Sequence, residues 1–300
     1  MSWRRFMMVT SCRPDRQLVR RAASPSNERP QEYPPMFALS IPQDVPPVVV
    51  APPWDLTVGL IDATVQLDQP SGPETRTVGT GFLIQAPRPD GSSRVVLVTA
   101  AHVLEQMGQP EARIGWRTAL PEGGWRFDPE PLVIRDALGE GLWTRHPDRD
   151  VAVMEIAAPA AFARAAIPLG WLADETAFEA WQVGPGDELL SLGFPRGLSA
   201  NRAGFPILRV GRIASWPLSP VSAFPTFLLD FTVFPGNSGG PVFWTPGARK
   251  RPGIVEPATP FIAGLLSQEV RVNDEPLDIG VVTHAVFVRE AIARLDLPVP

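Results

Sequence analysis

The chain of 300 residues holds a single cysteine, Cys12, so no disulfide can form within it and its fold must rest on its core alone. It has no run approaching the ~18 consecutive apolar residues that a membrane-spanning helix requires. Residues 1–12 carry Arg4 and Arg5 but no apolar core or cleavage site of the kind an export leader needs. No C-x-x-C, H-E-x-x-H or phosphate-loop pattern occurs, which removes the usual sequence support for a metal or nucleotide site, and no cofactor is expected. The net charge of -5 is mild and gives no reason to propose nucleic acid or a membrane surface as partner. Histidine is scarce as well. His102, His146 and His284 are the three available for any chemistry that needs an imidazole.

What the chain has in abundance is proline, 36 residues, and glycine, 25, which points to many short strands and turns rather than long helices. Residues 1–53 hold ten prolines, and seven arginines precede residue 30. Such a segment buries too little apolar surface to offset its ordering entropy, and it is read as a disordered arm. A solvated tail, a start placed too early, or a targeting or partner-binding arm would all look like this. From Trp54 onward, β-type runs appear at 57–67, 77–85, 94–100, 150–156, 188–194, 207–215, 226–234, 261–270 and 279–288, separated by Gly, Pro and Asp turns. Strands at this spacing predict an all-β barrel or sandwich. Helices are expected at Ala160–Ala166, at Glu175–Gln182 and over the last residues, about 287–296. The basic run Arg249-Lys250-Arg251 lies in a proline-containing loop and reads as a solvated tip or a docking patch.

One segment is far from random: Phe234-Pro235-Gly236-Asn237-Ser238-Gly239-Gly240-Pro241. At average glycine and proline usage, its central hexapeptide would arise by chance in a chain this long with odds on the order of 10⁻⁵. Glycines on both sides permit sharp positive-φ turns and close approach of a substrate carbonyl, so a serine hydroxyl can sit between backbone N–H groups. Its base is expected to be His102, which ends the apolar run Val95–Ala101. His146 lies in a polar turn and His284 in a late apolar strand. The orienting carboxylate is expected to be Asp150, which runs straight into the apolar strand Val151–Ile156. Asp148, flanked by Pro147 and Arg149, is its competitor.

The motifs V-T-A-A-H-V, D-V-A-V and G-N-S-G-G-P, in that order, resemble those of the trypsin-like, chymotrypsin-fold serine peptidases, and more narrowly the bacterial HtrA-type and glutamyl-endopeptidase-like branch. Gly79-Thr80-Gly81-Phe82, Gly186–Pro195, Gly211–Ser215 and Leu229-Asp230 extend the resemblance over roughly residues 55–298. It implies two six-stranded antiparallel β-barrels, about 55–165 and 183–286, closed by a short C-terminal helix. The first would contribute His102 and Asp150, and the second Ser238. It implies a serine endopeptidase acting through an acyl-enzyme on polypeptides, expected to be unfolded or extended, with the N–H groups of Gly236 and Ser238 as the oxyanion hole. Secreted animal relatives are usually stapled by disulfides, so this cysteine-poor chain suits a bacterial cytoplasm or periplasm better. No PDZ module is expected after the terminal helix. HtrA-type relatives are often trimers, which leaves oligomer formation open.

Two rival readings stand beside this one. The letters G-x-S-x-G also fit the nucleophile elbow of α/β-hydrolases, but that fold needs a helix directly after the serine and a histidine downstream of it. A catalytically silent peptidase-fold module that binds peptides is the other, although none of the motif residues is missing. By the same resemblance, Thr232 is expected near the base of the primary specificity pocket, with Ser267 and His284 toward its walls. No aspartate falls at the base, so preference for Lys or Arg is not expected. Cleavage after small or medium apolar residues is the leading expectation. A Glu preference that uses His284 is the runner-up, against a purely packing role for that histidine. Asn237 stands where trypsin-type zymogens carry an acid that pairs with a newly cut terminus, so activation by cleavage is not expected.

Overall fold

The computed structural model describes residues 55–72, 75–246, 259–273 and 275–297. The N-terminal arm and the Arg249–Arg251 run lie outside the described residues. The chain opens with helix α1 (Asp55–Ala63), followed by strands β1 (Thr64–Pro70), β2 (Arg76–Pro87) and β3 (Ser93–Thr99). Helix α2 (Ala101–Glu105) precedes β4 (Glu111–Ala119), β5 (Trp125–Val133), β6 (Thr144–Arg145) and β7 (Ala152–Glu155). Helix α3 (Ala160–Ala165) and the short β8 (Ile167–Pro168) lead through a 3₁₀ turn to α4 (Ala177–Ala180). The second half comprises β9 (Glu188–Gly193), β10 (Ile207–Ile213), β11 (Thr226–Asp230), β12 (Pro241–Trp244), β13 (Phe261–Val272), β14 (Glu275–His284) and helix α5 (Ala285–Arg294).

The all-β, two-part architecture with a terminal helix matches the expectation. In the second half six antiparallel strands close into a barrel in the order β10-β11-β14-β13-β12-β9. The first half differs in detail from six strands. Its hydrogen-bonded path is β5-β4-β1-β2-β3-β7-β6, with β8 added in parallel to β2. Both inner faces are lined by fully buried aliphatic and aromatic side chains, Leu67, Phe82 and Leu97 in the first half and Phe227, Phe243 and Leu265 in the second.

Three departures from the sequence reading have clear causes. The apolar run 57–67 is not one strand: Leu56, Leu60 and Ala63 fall on one face at helical spacing and are buried, while Val58 is exposed, so a helix forms to Ala63 and the strand starts at Thr64. The β4–β5 hairpin was missed because β5, WRFDPEPLV, contains two prolines and is mostly exposed; it lies at the end of the sheet path, where proline costs no ladder bond. The four-residue β12 directly follows Gly239-Gly240 and is too short to give a periodic signal.

Helix α5 starts two residues earlier than expected and buries Ala285, Phe287, Val288, Ala291 and Ile292. It packs on β13 of the barrel and also on β6 and β7 of the first half, so one helix braces both. Beyond its end, Asp296 receives both guanidinium nitrogens of Arg94 from β3 at 2.8 Å each.

Helix α1 is held by a buried cation. Arg117 on β4 donates to the carbonyls of Ile61 (3.0 Å), Asp62 (2.7 Å), Thr64 (2.8 Å) and, from another loop, Gly204 (3.3 Å). Its guanidinium also lies 5.0 Å from the rings of Phe162 and Phe205. Burial pulls its pKa down to about 10, which still leaves it charged at neutral pH. A cation at a helix C-terminus complements the carbonyl end of the dipole, and here it also satisfies carbonyls that α1 leaves unpaired. Replacing Arg117 with Met should destabilise the protein by on the order of 3 kcal/mol, seen as a drop of several degrees in Tm. Arg117→Lys should recover little of this, since an ammonium cannot span four acceptors with a rigid fork.

Candidate active site

Strand β3 ends at Thr99, and the small buried residues Ala100 and Ala101 let α2 begin immediately, with His102 in its first turn. His102 is gripped at two points by one carboxylate. Its backbone N–H donates to Asp150 Oδ1 at 3.0 Å, and its Nδ1 lies 2.7 Å from Asp150 Oδ2. An acceptor at that distance places the imidazole proton on Nδ1 and leaves Nε2 as the basic nitrogen. Burial opposes ionisation of Asp150, but the side-chain bond, charge and backbone N–H of His102, together with the charge of Arg145, outweigh it and hold the carboxyl below its usual value. The competitor Asp148 is exposed and is engaged through its backbone, its N–H donating to His146 Nδ1 at 3.2 Å and its carbonyl accepting from Arg149 at 3.2 Å.

The serine segment is a folded loop with defined supports. Asn237 N–H donates to Phe234 O at 3.0 Å, and Gly236 has φ +95°, the pattern of a type II turn with Pro235 and Gly236 at its centre. Gly239, at φ +86°, sits so close to β2 that a Cβ would lie 2.2 Å from the carbonyl of Thr80 and the hydroxyl of Thr99. Thr80 is the hub. Its N–H donates to Ser238 O at 2.9 Å, and its hydroxyl donates to Gly236 O at 2.6 Å while accepting from Phe194 N–H at 3.1 Å. Its own carbonyl accepts the Thr99 hydroxyl at 2.7 Å. On the other side Gly239 N–H donates to Leu266 O at 2.7 Å, and Leu266 N–H returns to Gly240 O at 2.9 Å. The carbonyls of Gly236 and Ser238 are thus both taken by Thr80. Among the described residues no acceptor engages the N–H of either.

His102, Asp150, Gly236 and Ser238 line one cleft of about 670 Å³, together with Ser267 and Glu269 from β13. No hydrogen bond joins His102 to Ser238 among the described residues; the two meet as walls of the same cavity. Catalytic hydrogen bonds are commonly long before substrate arrives.

The three residues expected at the specificity pocket are separated. Ser267 lines the cleft, but its hydroxyl is buried and paired with Thr283 Oγ1 at 2.6 Å. Thr232 is not among the cleft-lining residues, and its carbonyl accepts from Arg209 at 2.6 Å. His284 is not there either: it is buried in the barrel between the rings of Phe178 (5.1 Å) and Phe227 (4.9 Å), with Nε2 unpartnered. The sequence reading missed Thr80, whose only signal was its place between two glycines in G-T-G-F. It also missed the rim residues Glu105, Arg145, Glu269 and Arg271.

Comparison with known proteins adds to this geometry. The model of the trypsin-like peptidase domain matches residues 79–248, more than half of the chain, and the chain belongs to that family. Among solved structures, the HtrA-type protease AlgW with tripeptide is similar over 80% of this chain and 62% of its own, with 16% identity and a TM-score of 0.50. Another solved form of the same protease, also with tripeptide, gives 81%, 63%, 15% and 0.50. At this identity the likeness is one of fold, and the chain spans a little over three fifths of the length of those proteins. No curated protein matches in sequence. No helix among the described residues is long and apolar enough to cross a membrane.

Burial pushes the pKa of His284 down to about 4, with no neighbouring charge to offset it. In the unfolded chain the imidazole takes a proton near its ordinary value of 6.5, whereas in the folded chain it stays neutral until about 4. The resulting stability is therefore complete above pH 6.5 and lost as pH falls toward 4, a difference on the order of 3 kcal/mol. A His284→Leu variant should lose most of that pH dependence in chemical denaturation between pH 7 and 4. An unchanged acid slope would place the responsible group elsewhere.

Proposed function

We propose that the protein is a serine endopeptidase in which Ser238 is the nucleophile, His102 the general base and Asp150 the group that orients it. The observation that carries this reading is the two-point grip of Asp150 on His102, opening onto a cleft that Ser238 shares. His102 Nε2 takes the proton as Ser238 Oγ attacks a peptide carbonyl, and Asp150 stabilises the imidazolium that forms. The N–H groups of Gly236 and Ser238 receive the oxyanion. Losing one such donor typically costs about 3–4 kcal/mol of transition-state stabilisation. Collapse breaks the C–N bond, the imidazolium gives its proton to the leaving amine, and an acyl-serine remains. Water then attacks the ester with His102 again as base, releasing the new carboxyl terminus and restoring the hydroxyl.

The substrates are polypeptides in extended form, which alone can enter a cleft between two β-structures. Val233 and Phe234 lie in its wall next to Ser238, which favours cleavage after small or medium apolar residues. The Glu preference loses its support, since the histidine it required lies in the barrel interior. The amide of Asn237 is buried and carries no charge with which to hold an amino terminus, so activity should not depend on a defined upstream cleavage.

A fluorophosphonate probe should label Ser238 in the wild type and fail on Ser238→Ala. Against denatured protein, Ser238→Ala and His102→Ala should each remove nearly all activity, with the double variant scarcely worse, because the residues act as a unit. Asp150→Asn should be severely impaired and Asp148→Asn nearly normal. A silent wild type would favour the peptide-binding module, and an inactive Asp148→Asn would overturn the acid assignment. Mass-spectrometric mapping of cleavage sites reads specificity in the same assay. Predominant cuts after Lys or Arg would contradict it.

A further inference from the structure

Asp150 closes the segment His146–Asp150, which has no regular structure of its own yet must present a carboxylate at 2.7 Å from His102. What fixes it comes from helix α5, more than 130 residues away in sequence. His146 is buried at 3% exposure, although its neighbours Thr144, Arg145, Pro147 and Asp148 read as a polar turn. Its Nε2 lies 2.8 Å from Glu290 Oε2, and its Nδ1 accepts the Asp148 N–H at 3.2 Å. These two partners require a single neutral tautomer, with the proton on Nε2. The ring meets Phe287 edge-on at 5.4 Å, and the guanidinium of Arg149 lies 5.0 Å from that same Phe287 ring. Phe287 and Glu290 are three residues apart, so one face of α5 serves the whole segment. The His146 N–H also donates to Val151 O at 2.9 Å, which ties the bend to the strand that begins just after Asp150. Arg145 adds a lighter hold, bonding the carbonyls of His146 and Pro147 and pairing with Glu105 on the helix of His102.

We infer that His146 and Glu290 are positioning residues: together with Phe287 they form a strut from the terminal helix that sets where Asp150 meets His102. The inference rests on the proposed role of Asp150. Because α5 also packs on β13, which supplies the cleft wall opposite, the strut ties the acid's position to the second barrel as well.

The test uses Glu290, half exposed on a helix where alanine is well tolerated. In Glu290→Ala, kcat on fluorescently labelled denatured casein should fall by about fivefold with KM unchanged, the effect of losing one hydrogen bond that positions the pair. Glu290→Gln, which keeps an acceptor for the His146 N–H, should restore wild-type kcat. The strongly deshielded proton of the short His102 Nδ1–H···Asp150 bond, read by NMR, should shift or broaden in Glu290→Ala and return in Glu290→Gln. This resonance requires no turnover. If the wild type is inactive yet the resonance moves as stated, the peptidase reading fails and the strut stands. If Glu290→Ala leaves both kcat and resonance unchanged, or lowers only Tm, the strut is wrong while the peptidase reading is untouched.

Discussion

One threonine joins the two halves of this protein at its candidate nucleophile. Thr80 lies on β2 of the first half, and two of its polar groups make three hydrogen bonds to the second: its N–H to Ser238 O, and its hydroxyl to Gly236 O and Phe194 N–H. These are buried groups, and leaving any of them unpaired would cost about 1–3 kcal/mol. The loop satisfies them with both carbonyls turned onto Thr80. The N–H groups proposed for the oxyanion are then the ones left without an internal acceptor. Gly239 is required by the same contact, because a Cβ there would strike Thr80 and Thr99.

From that seam outward, each side of the cleft has its own support. The proposed base, His102, and its proposed acid, Asp150, come from the first half, clamped to one another and, by the inferred strut, to the terminal helix. The serine loop is stitched to β13 through Leu266. Helix α5 touches both sides, and Arg117 anchors the opening helix beneath the first sheet. A cysteine-free core of this kind has to hold two β-structures in register by packing and buried hydrogen bonds.

How much of this was legible in the sequence depended on the range of each interaction. The His102, Asp150 and Ser238 motifs could be read because each carries its own local signature: small residues before a histidine, an acid entering an apolar strand, glycines around a serine. The barrel strands with clean alternation were read for the same reason. The strand β5 escaped because an edge position tolerates prolines that would argue against an inner strand, and α1 because a run of eleven apolar-rich residues hid helical spacing in its first half. Thr80 and His146 escaped for a different reason. Their roles lie in partners more than 100 residues away, Gly236 and Ser238 for one and Glu290 for the other, and nothing in their neighbours announces it. For His284 the family pattern suggests a pocket wall, whereas its ring lies in the barrel between Phe178 and Phe227.

The hydroxyl of Thr80 holds the serine loop in shape. The rate at which a fluorophosphonate acylates Ser238 in Thr80→Val measures it most directly, because valine keeps the shape and removes only the hydroxyl. With Phe194 N–H and Gly236 O both unpaired, the rate should fall by about tenfold or more, while Thr80→Ser stays near the wild type. Acylation of Thr80→Val at the wild-type rate would contradict the account.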